Sequence, residues 1–234
     1  MVFSNGVVIN TPFALNDQQT AALLELEKFM SNPGAYDNQI TLKGYAGTGK
    51  TSIMKIFDAF LSRVYIDDVL YTAPTHRANA VTKLNNPKVK TTTLHKLFGL
   101  KPDFDFEKEY DLAKINFARQ GKSKLEPGKD YIIILDEASM VADGLYEFIK
   151  QEMDINPNIK IIYMGDPAQL RPPSQDKKSK VFDSGKQLEL TKVERTGDNP
   201  ILEESTNLRN DKDLGYKTKM VNGIGVEYGK DDAD

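Results

Sequence analysis

Two stretches of the chain are apolar almost without interruption: Tyr131–Leu135 (Y-I-I-I-L) and residues 159–164 (I-K-I-I-Y-M). Short runs rich in β-branched residues predict strands buried on both faces. Briefer runs at residues 40–43 (I-T-L-K) and Val69–Ala73 predict two more. Elsewhere the apolar period lengthens to that of a helix. Residues 17–30 set Leu23, Leu26 and Met30 on one stripe, with Asn16 or Asp17 as the cap. Residues 51–61, residues 75–84 (capped by Thr75) and residues 144–153 read as further helices. Strands alternating with helices predict an α/β fold, a parallel sheet flanked by helices on both faces.

Two segments break the alternation. Residues 101–130 are polar, charged and long for a plain connection, which predicts a small inserted subdomain. Phe104, Phe106, Tyr110 and Phe117 lie within it. From residue 211 onward there is little periodicity, and the chain closes on Asp231, Asp232, Ala233 and Asp234, so this tail is expected to fray.

Composition narrows the function classes. The chain has no cysteine, which excludes a disulfide framework and a Cys-based zinc site and makes a reducing cytoplasm the simplest setting. Its two histidines, isolated and without Cys, do not make a metal site. No run reaches the length of a membrane span, and the N-terminus has no signal-peptide pattern, so no membrane partner is expected. A net charge of −3 argues against gripping nucleic acid with the whole surface. It leaves room for a local track, and lysines cluster at 83, 88, 90, 96 and 101 and again at 177, 178 and 180. Solvated surface is the other reading of these clusters.

The sharpest chemical signal is at Gly44 to Thr51, G-Y-A-G-T-G-K-T, which fits G-x-x-x-x-G-K-[ST] at every fixed position. A strand precedes it and a helix follows. Such a loop turns the N–H groups of Gly44, Ala46, Gly47, Thr48 and Gly49 toward phosphate oxygens, and the helix adds its positive dipole end. Lys50 supplies a point charge for the β/γ-phosphates, and the Thr51 hydroxyl is placed to ligate Mg²⁺. ATP with Mg²⁺ is the expected ligand. Asp136 and Glu137 follow directly on the strand Tyr131–Leu135. One carboxylate of such a pair can hold Mg²⁺ while the other polarises the attacking water. Residues 165–172 (G-D-P-A-Q-L-R-P) end the next strand, and the Gln169 amide could sense a γ-phosphate or position water, or the segment is a Pro-rich turn capped by Asp166.

With these pieces in order, the chain resembles the superfamily 1 DNA helicases, in particular the RecD/Dda-like branch. The resemblance rests on G-Y-A-G-T-G-K-T at Gly44, A-P-T-H at Ala73, T-T-L-H at Thr92, D-E-A-S at Asp136, G-D-P-A-Q-L-R-P at Gly165 and L-T-K-V-E-R-T at Leu190, and covers about residues 15 to 209. It implies a RecA-like P-loop NTPase lobe made of residues 1–100 and 131–190. The insert, residues 101–130, takes the place of the family's wedge subdomain. Residues 191–234 form the start of an incomplete second lobe. It implies that Gln19, in L-N-D-Q-Q, reads the adenine edge. It makes Pro74, Thr75, His76, Thr92 and His95 contacts to single-stranded DNA, with 5′-to-3′ polarity. By the same resemblance Lys50, Asp136, Glu137, Gln169 and Arg195 carry catalysis, with Gln169 as γ-phosphate sensor and Arg195 stabilising transition-state charge. Arg195 could equally pair with Glu194 or Glu203.

A helicase of this kind closes two lobes around ATP, and here the chain stops soon after the second begins. The expectation is a motor lobe that binds ATP, hydrolyses it slowly alone and does not unwind duplex. A second-lobe chain, or proteins of replication, repair or recombination, are the candidate further partners. A stand-alone ATP-binding regulator or non-motor DNA-binding protein, and a nucleotide or small-molecule kinase, remain as the other readings. DNA-stimulated hydrolysis separates the motor from the kinase, and strand displacement separates it from the regulator.

Overall fold

The computed structural model of the chain describes residues 1–64, 68–85, 87, 89–102, 117–119, 121, 123–172, 175–194, 219–221 and 224–226. It divides into two compact units, Met1–Thr191 and Lys192–Asp234. The first contains β1 (Gln39–Gly44), β2 (Val69–Ala73), β3 (Lys90–Thr93), β4 (Leu100–Pro102), β5 (Phe117–Arg119), β6 (Tyr131–Leu135), β7 (Ile159–Gly165) and β8 (Lys186–Leu190). Its helices are α1 (Asp17–Ser31), α2 (Lys50–Arg63), α3 (His76–Asn85), α4 (Leu94–Phe98) and α5 (Asp143–Ile155). Apart from residues 192–194, the described part of the second unit is an antiparallel pair, β9 (Lys219–Val221) and β10 (Ile224–Val226).

Six strands form one sheet in the order β3-β2-β6-β7-β1-β8, and every pairing in it is parallel. All six strand C-termini therefore lie along one edge. The near-continuous apolar runs have a simple cause. Successive side chains of a strand point to opposite faces, and each face has its own core. Ile132, Ile134, Ile162 and Met164 join Ile40 and Leu42 in the core beneath α1 and α2. Tyr131, Ile133, Leu135, Ile159, Ile161 and Tyr163 join the core beneath α4 and α5.

α1 begins where Asn16 accepts from the Gln19 amide at 2.9 Å and Gln19 returns a bond to Asn16 N at 3.1 Å, a reciprocal cap. Its buried stripe is Ala22, Leu23, Leu26 and Phe29, with Met30 at the margin. Residues 1–9 fold into a hairpin over α1 and α2. Phe3 stacks on Phe60 with centroids 4.1 Å apart, and the buried Glu27 carboxylate accepts from Ser4 N, Ser4 Oγ and Asn5 N. Those three bonds, together with the burial that opposes them, leave Glu27 below the usual carboxylate range.

The polar interruption begins with β4 and β5, a two-stranded antiparallel sheet separate from the main one. Phe104, Phe106 and Tyr110 lie outside the described residues. The segment returns through Leu125, which packs on the α5-side core. Among the described residues no helix is long and apolar enough to cross a membrane.

Candidate nucleotide site and strand-contact edge

β1 delivers the chain into the glycine-rich loop, and α2 leads it away. Gly49 sits at φ 91° as the N-cap of α2, and Gly47 at φ 83°. Both values lie in the left-handed region that side chains resist. A Cβ on Gly49 would stand 2.7 Å from Gln19 Nε2, and one on Gly44 would stand 2.6 Å from the Leu190 carbonyl. The loop is thus shaped by close backbone approach as well as by dihedral freedom. Gly49→Ala is expected to cost roughly 1–3 kcal/mol, read as a lowered Tm in thermal unfolding. An unchanged Tm would contradict the tight α1–loop contact.

Lys50 opens α2 and its Nζ turns back to the Gly44 carbonyl at 2.6 Å and the Tyr45 carbonyl at 3.0 Å. Thr48 is fully buried and bonds the Tyr45 carbonyl through Oγ1 at 2.8 Å. Ala46 and Thr51 are exposed. Gln19 is buried, with Nε2 donating to the Thr48 carbonyl at 3.1 Å while Oε1 completes the α1 cap. Both ends of this amide therefore tie α1 to the loop.

At the end of β6, Asp136 Oδ1 accepts from Glu137 N at 2.9 Å. Burial pushes the Asp136 carboxyl up, against the pull of the Glu137 amide and the Lys50 charge. Glu137 is also pushed up, first by burial and then by Asp136, with Lys50 opposing and Asp166 adding. The loop lysine and the three carboxylates at the ends of β6 and β7 thus share one electrostatic neighbourhood. Glu137 takes φ 56° and ψ 42°, left-handed for a residue with a Cβ. Such a conformation costs on the order of 1–3 kcal/mol, and it re-aims the side chain at a strand end.

Asp166 was not singled out as a site residue in the sequence, yet it is 1% exposed. Its Oδ1 accepts from Ala168 N at 2.9 Å. In the sequence the Gly-Asp-Pro turn is its one signal, and a turn cap carries the same signal. Gln169, three residues on, is exposed on the same edge. Arg195 lies outside the described residues. Thr51 and Asp136 offer a hydroxyl and a carboxylate, hard oxygen donors that suit Mg²⁺. Among the described residues no group of three or more His, Cys, Asp or Glu could cage a metal.

The strand-contact candidates form a second patch on the same edge. β2 and β3 run side by side with Thr72 opposite Thr92 and Ala73 opposite Thr93. Pro74, Thr75 and His76 follow β2, and His95 lies on α4 just after β3. Thr75 Oγ1 caps α3 through Ala78 N at 3.1 Å, and Thr93 Oγ1 accepts from Lys96 N at 3.3 Å. The His95 imidazole is held below its ordinary range by burial and by the nearby His76. Thr92 Oγ1 is buried with no hydrogen-bond partner. Of the lysines, Lys96 is exposed, whereas Lys90 pairs with Asp68 and Lys180 with Glu147.

Known proteins resemble the chain in family, in sequence and in fold. The AAA_30 family model, an AAA domain, matches residues 14–223. The chain is 30% identical over 195 residues to the ATP-dependent DNA helicase dda of Enterobacteria phage T4, covering 81% of this chain and 41% of that protein. It is 34% identical over 154 residues to uncharacterized protein R530 of Acanthamoeba polyphaga mimivirus, covering 60% of this chain and 30% of that one. The chain thus spans well under half the length of both curated relatives. Among solved structures, the Pif1 helicase from Candida albicans superposes with a TM-score of 0.55 at 20% identity, over 84% of this chain and 44% of the other. That likeness carries the fold.

Proposed function

We propose that the chain, which belongs to the AAA_30 family, is the first RecA-like lobe of a superfamily 1 helicase of the Pif1/Dda/RecD type, a reading its 30% identity to a phage DNA helicase supports, and that its site binds and hydrolyses ATP with Mg²⁺ while the neighbouring edge holds single-stranded DNA. The observation that carries the reading is the shared neighbourhood of Lys50, Asp136 and Glu137 at the mouth of the glycine-rich loop.

In this reading the loop N–H groups take the phosphates. Lys50 Nζ exchanges the Gly44 and Tyr45 carbonyls for β/γ-phosphate oxygens, stronger acceptors because they are charged. Thr51 and Asp136 are the residues that would hold Mg²⁺, which when bound would supply charge neutralisation at the phosphates. Glu137 takes the proton from the attacking water. Its raised proton affinity suits that role, since a base nearer the working pH moves a proton more effectively. Gln169 orients the water or senses the γ-phosphate, and Arg195 answers the charge of the transition state. Gln19 reads the adenine edge by exchanging the Thr48 carbonyl for the base.

Threonine hydroxyls and helix N-terminal amides suit backbone phosphates. We therefore assign the strand track to Pro74, Thr75, His76, Thr92 and His95, with 5′-to-3′ movement in the assembled motor. A second-lobe chain or replication, repair and recombination proteins are its proposed partners. Binding of an oligothymidylate is expected to weaken steeply with salt, because each neutralised phosphate releases counterion. The Thr92→Ala/His95→Ala double variant should weaken it further in a fluorescence-anisotropy titration. Binding insensitive to both would contradict the track. Stimulation of hydrolysis by the same oligonucleotide tests the motor reading as a whole; a rate indifferent to DNA favours a stand-alone nucleotide-binding regulator.

A further inference from the structure

Asp136 is held at one oxygen by its neighbour's amide, and among the described residues one side-chain group reaches the other. Thr82, on α3, is 4% exposed, and its Oγ1 lies 3.5 Å from Asp136 Oδ2. The same hydroxyl lies 3.1 Å from the Ala78 carbonyl one helical turn earlier. A hydroxyl has one proton and donates to one acceptor at a time. The helix carbonyl is the nearer acceptor, while the carboxylate is the stronger when charged. The torsion that turns a carboxylate plane is broad and weakly set by the side chain itself. A single bond at Oδ1 therefore leaves the plane of Asp136 free to swing, and a second donor at Oδ2 fixes it. Ala78 also donates its N–H to Thr75 Oγ1, so the line from Thr82 runs back to the proposed strand-contact segment.

We propose that Thr82 is a positioning residue for the metal-holding carboxylate: its hydroxyl fixes the Asp136 plane so that one oxygen faces Mg²⁺. This rests on the reading that Asp136 holds that ion. In this proposal Thr82 acts through Asp136 and is assigned no contact of its own with nucleotide or metal. Its effect is confined to how readily the metal is accepted, and it does not extend to the glycine-rich loop.

The test uses the full 234-residue chain and a fluorescent, non-hydrolysable ATP analogue. Its binding is followed while Mg²⁺ is titrated, and separately in EDTA. Thr82→Val keeps the shape and removes the hydroxyl. It is expected to raise the half-saturating Mg²⁺ concentration about fivefold, the order of one net hydrogen bond, with binding in EDTA unchanged. Thr82→Ser restores the donor and is expected to titrate like the parent. Thr82→Ala takes the place of the valine variant if that one does not fold. A parent-like Mg²⁺ titration in the valine or alanine variant overturns the proposal. So does an equal loss in EDTA, which would mark a purely structural role. Lys50→Ala, run alongside, keeps the two readings apart. If the parent shows no Mg²⁺-dependent binding that Lys50→Ala abolishes, the nucleotide-site reading fails and takes this proposal with it. If the parent behaves as expected and only the Thr82 variants do not, the positioning role alone fails.

Discussion

Glu137→Gln is expected to lower ATP hydrolysis by about 10²–10⁴-fold, the usual worth of a positioned general base, while leaving Mg²⁺-ATP binding at the parent level. The substitution keeps the size of the side chain and its left-handed backbone, so the turn after β6 is preserved. It removes a negative charge at a carboxylate that burial and the neighbouring Asp136 and Asp166 already disfavour, so binding of an anionic nucleotide should be no weaker. Steady-state hydrolysis beside an equilibrium binding titration separates the two effects. A variant that hydrolyses ATP at the parent rate removes Glu137 from the role of base. Glu137→Gly makes a companion. It should also lose hydrolysis yet raise Tm, because glycine relieves the left-handed strain at this position.

Lys50→Ala is expected to reduce ATP affinity at least tenfold with the fold intact. Charge-assisted hydrogen bonds are worth roughly 1.5–3 kcal/mol each, and 1.4 kcal/mol is tenfold in affinity. Two features of the site add to the loss. The Nζ group bridges the Gly44 and Tyr45 carbonyls, so its removal unties the loop before any nucleotide arrives. Its charge also holds down the proton affinity of Asp136 and Glu137. Without it both carboxyls move further up, away from the ionised form that Asp136 needs to hold a cation. Unchanged affinity by titration calorimetry would remove the loop from the binding site.

The parts of this architecture legible in the sequence are those where chemistry or burial leaves few choices. β6 and β7 are legible because both faces are buried, which leaves Lys160 as the one charged position in the two strands. The glycine-rich loop was visible because few residues tolerate its backbone, and Asp136 and Glu137 because they end a buried strand. β3 was not read as a strand. Its Lys-Thr-Thr-Thr sequence lies at the sheet edge, half-exposed, where no apolar run is demanded. β8 is the opposite edge, and its Lys-Gln-Leu-Glu-Leu alternation is short and buries only Leu188 and Leu190. The N-terminal hairpin is held by Glu27 from α1, a pairing over more than twenty residues that local pattern does not reveal. The links of Gln19 to Thr48 and of Thr82 to Asp136 are likewise made in space. The insert's aromatics and Arg195 lie outside the described residues.

The most direct measurement is a calorimetric titration of ATP into the purified chain, once with Mg²⁺ and once with EDTA. Saturable one-to-one binding is expected in both, tighter with Mg²⁺ if, as proposed, Asp136 and Thr51 share the ion with the phosphates. Absence of binding at millimolar ATP, or binding that Mg²⁺ leaves unchanged, would contradict the assignment of residues 44–51 and 136–137 as a nucleotide site.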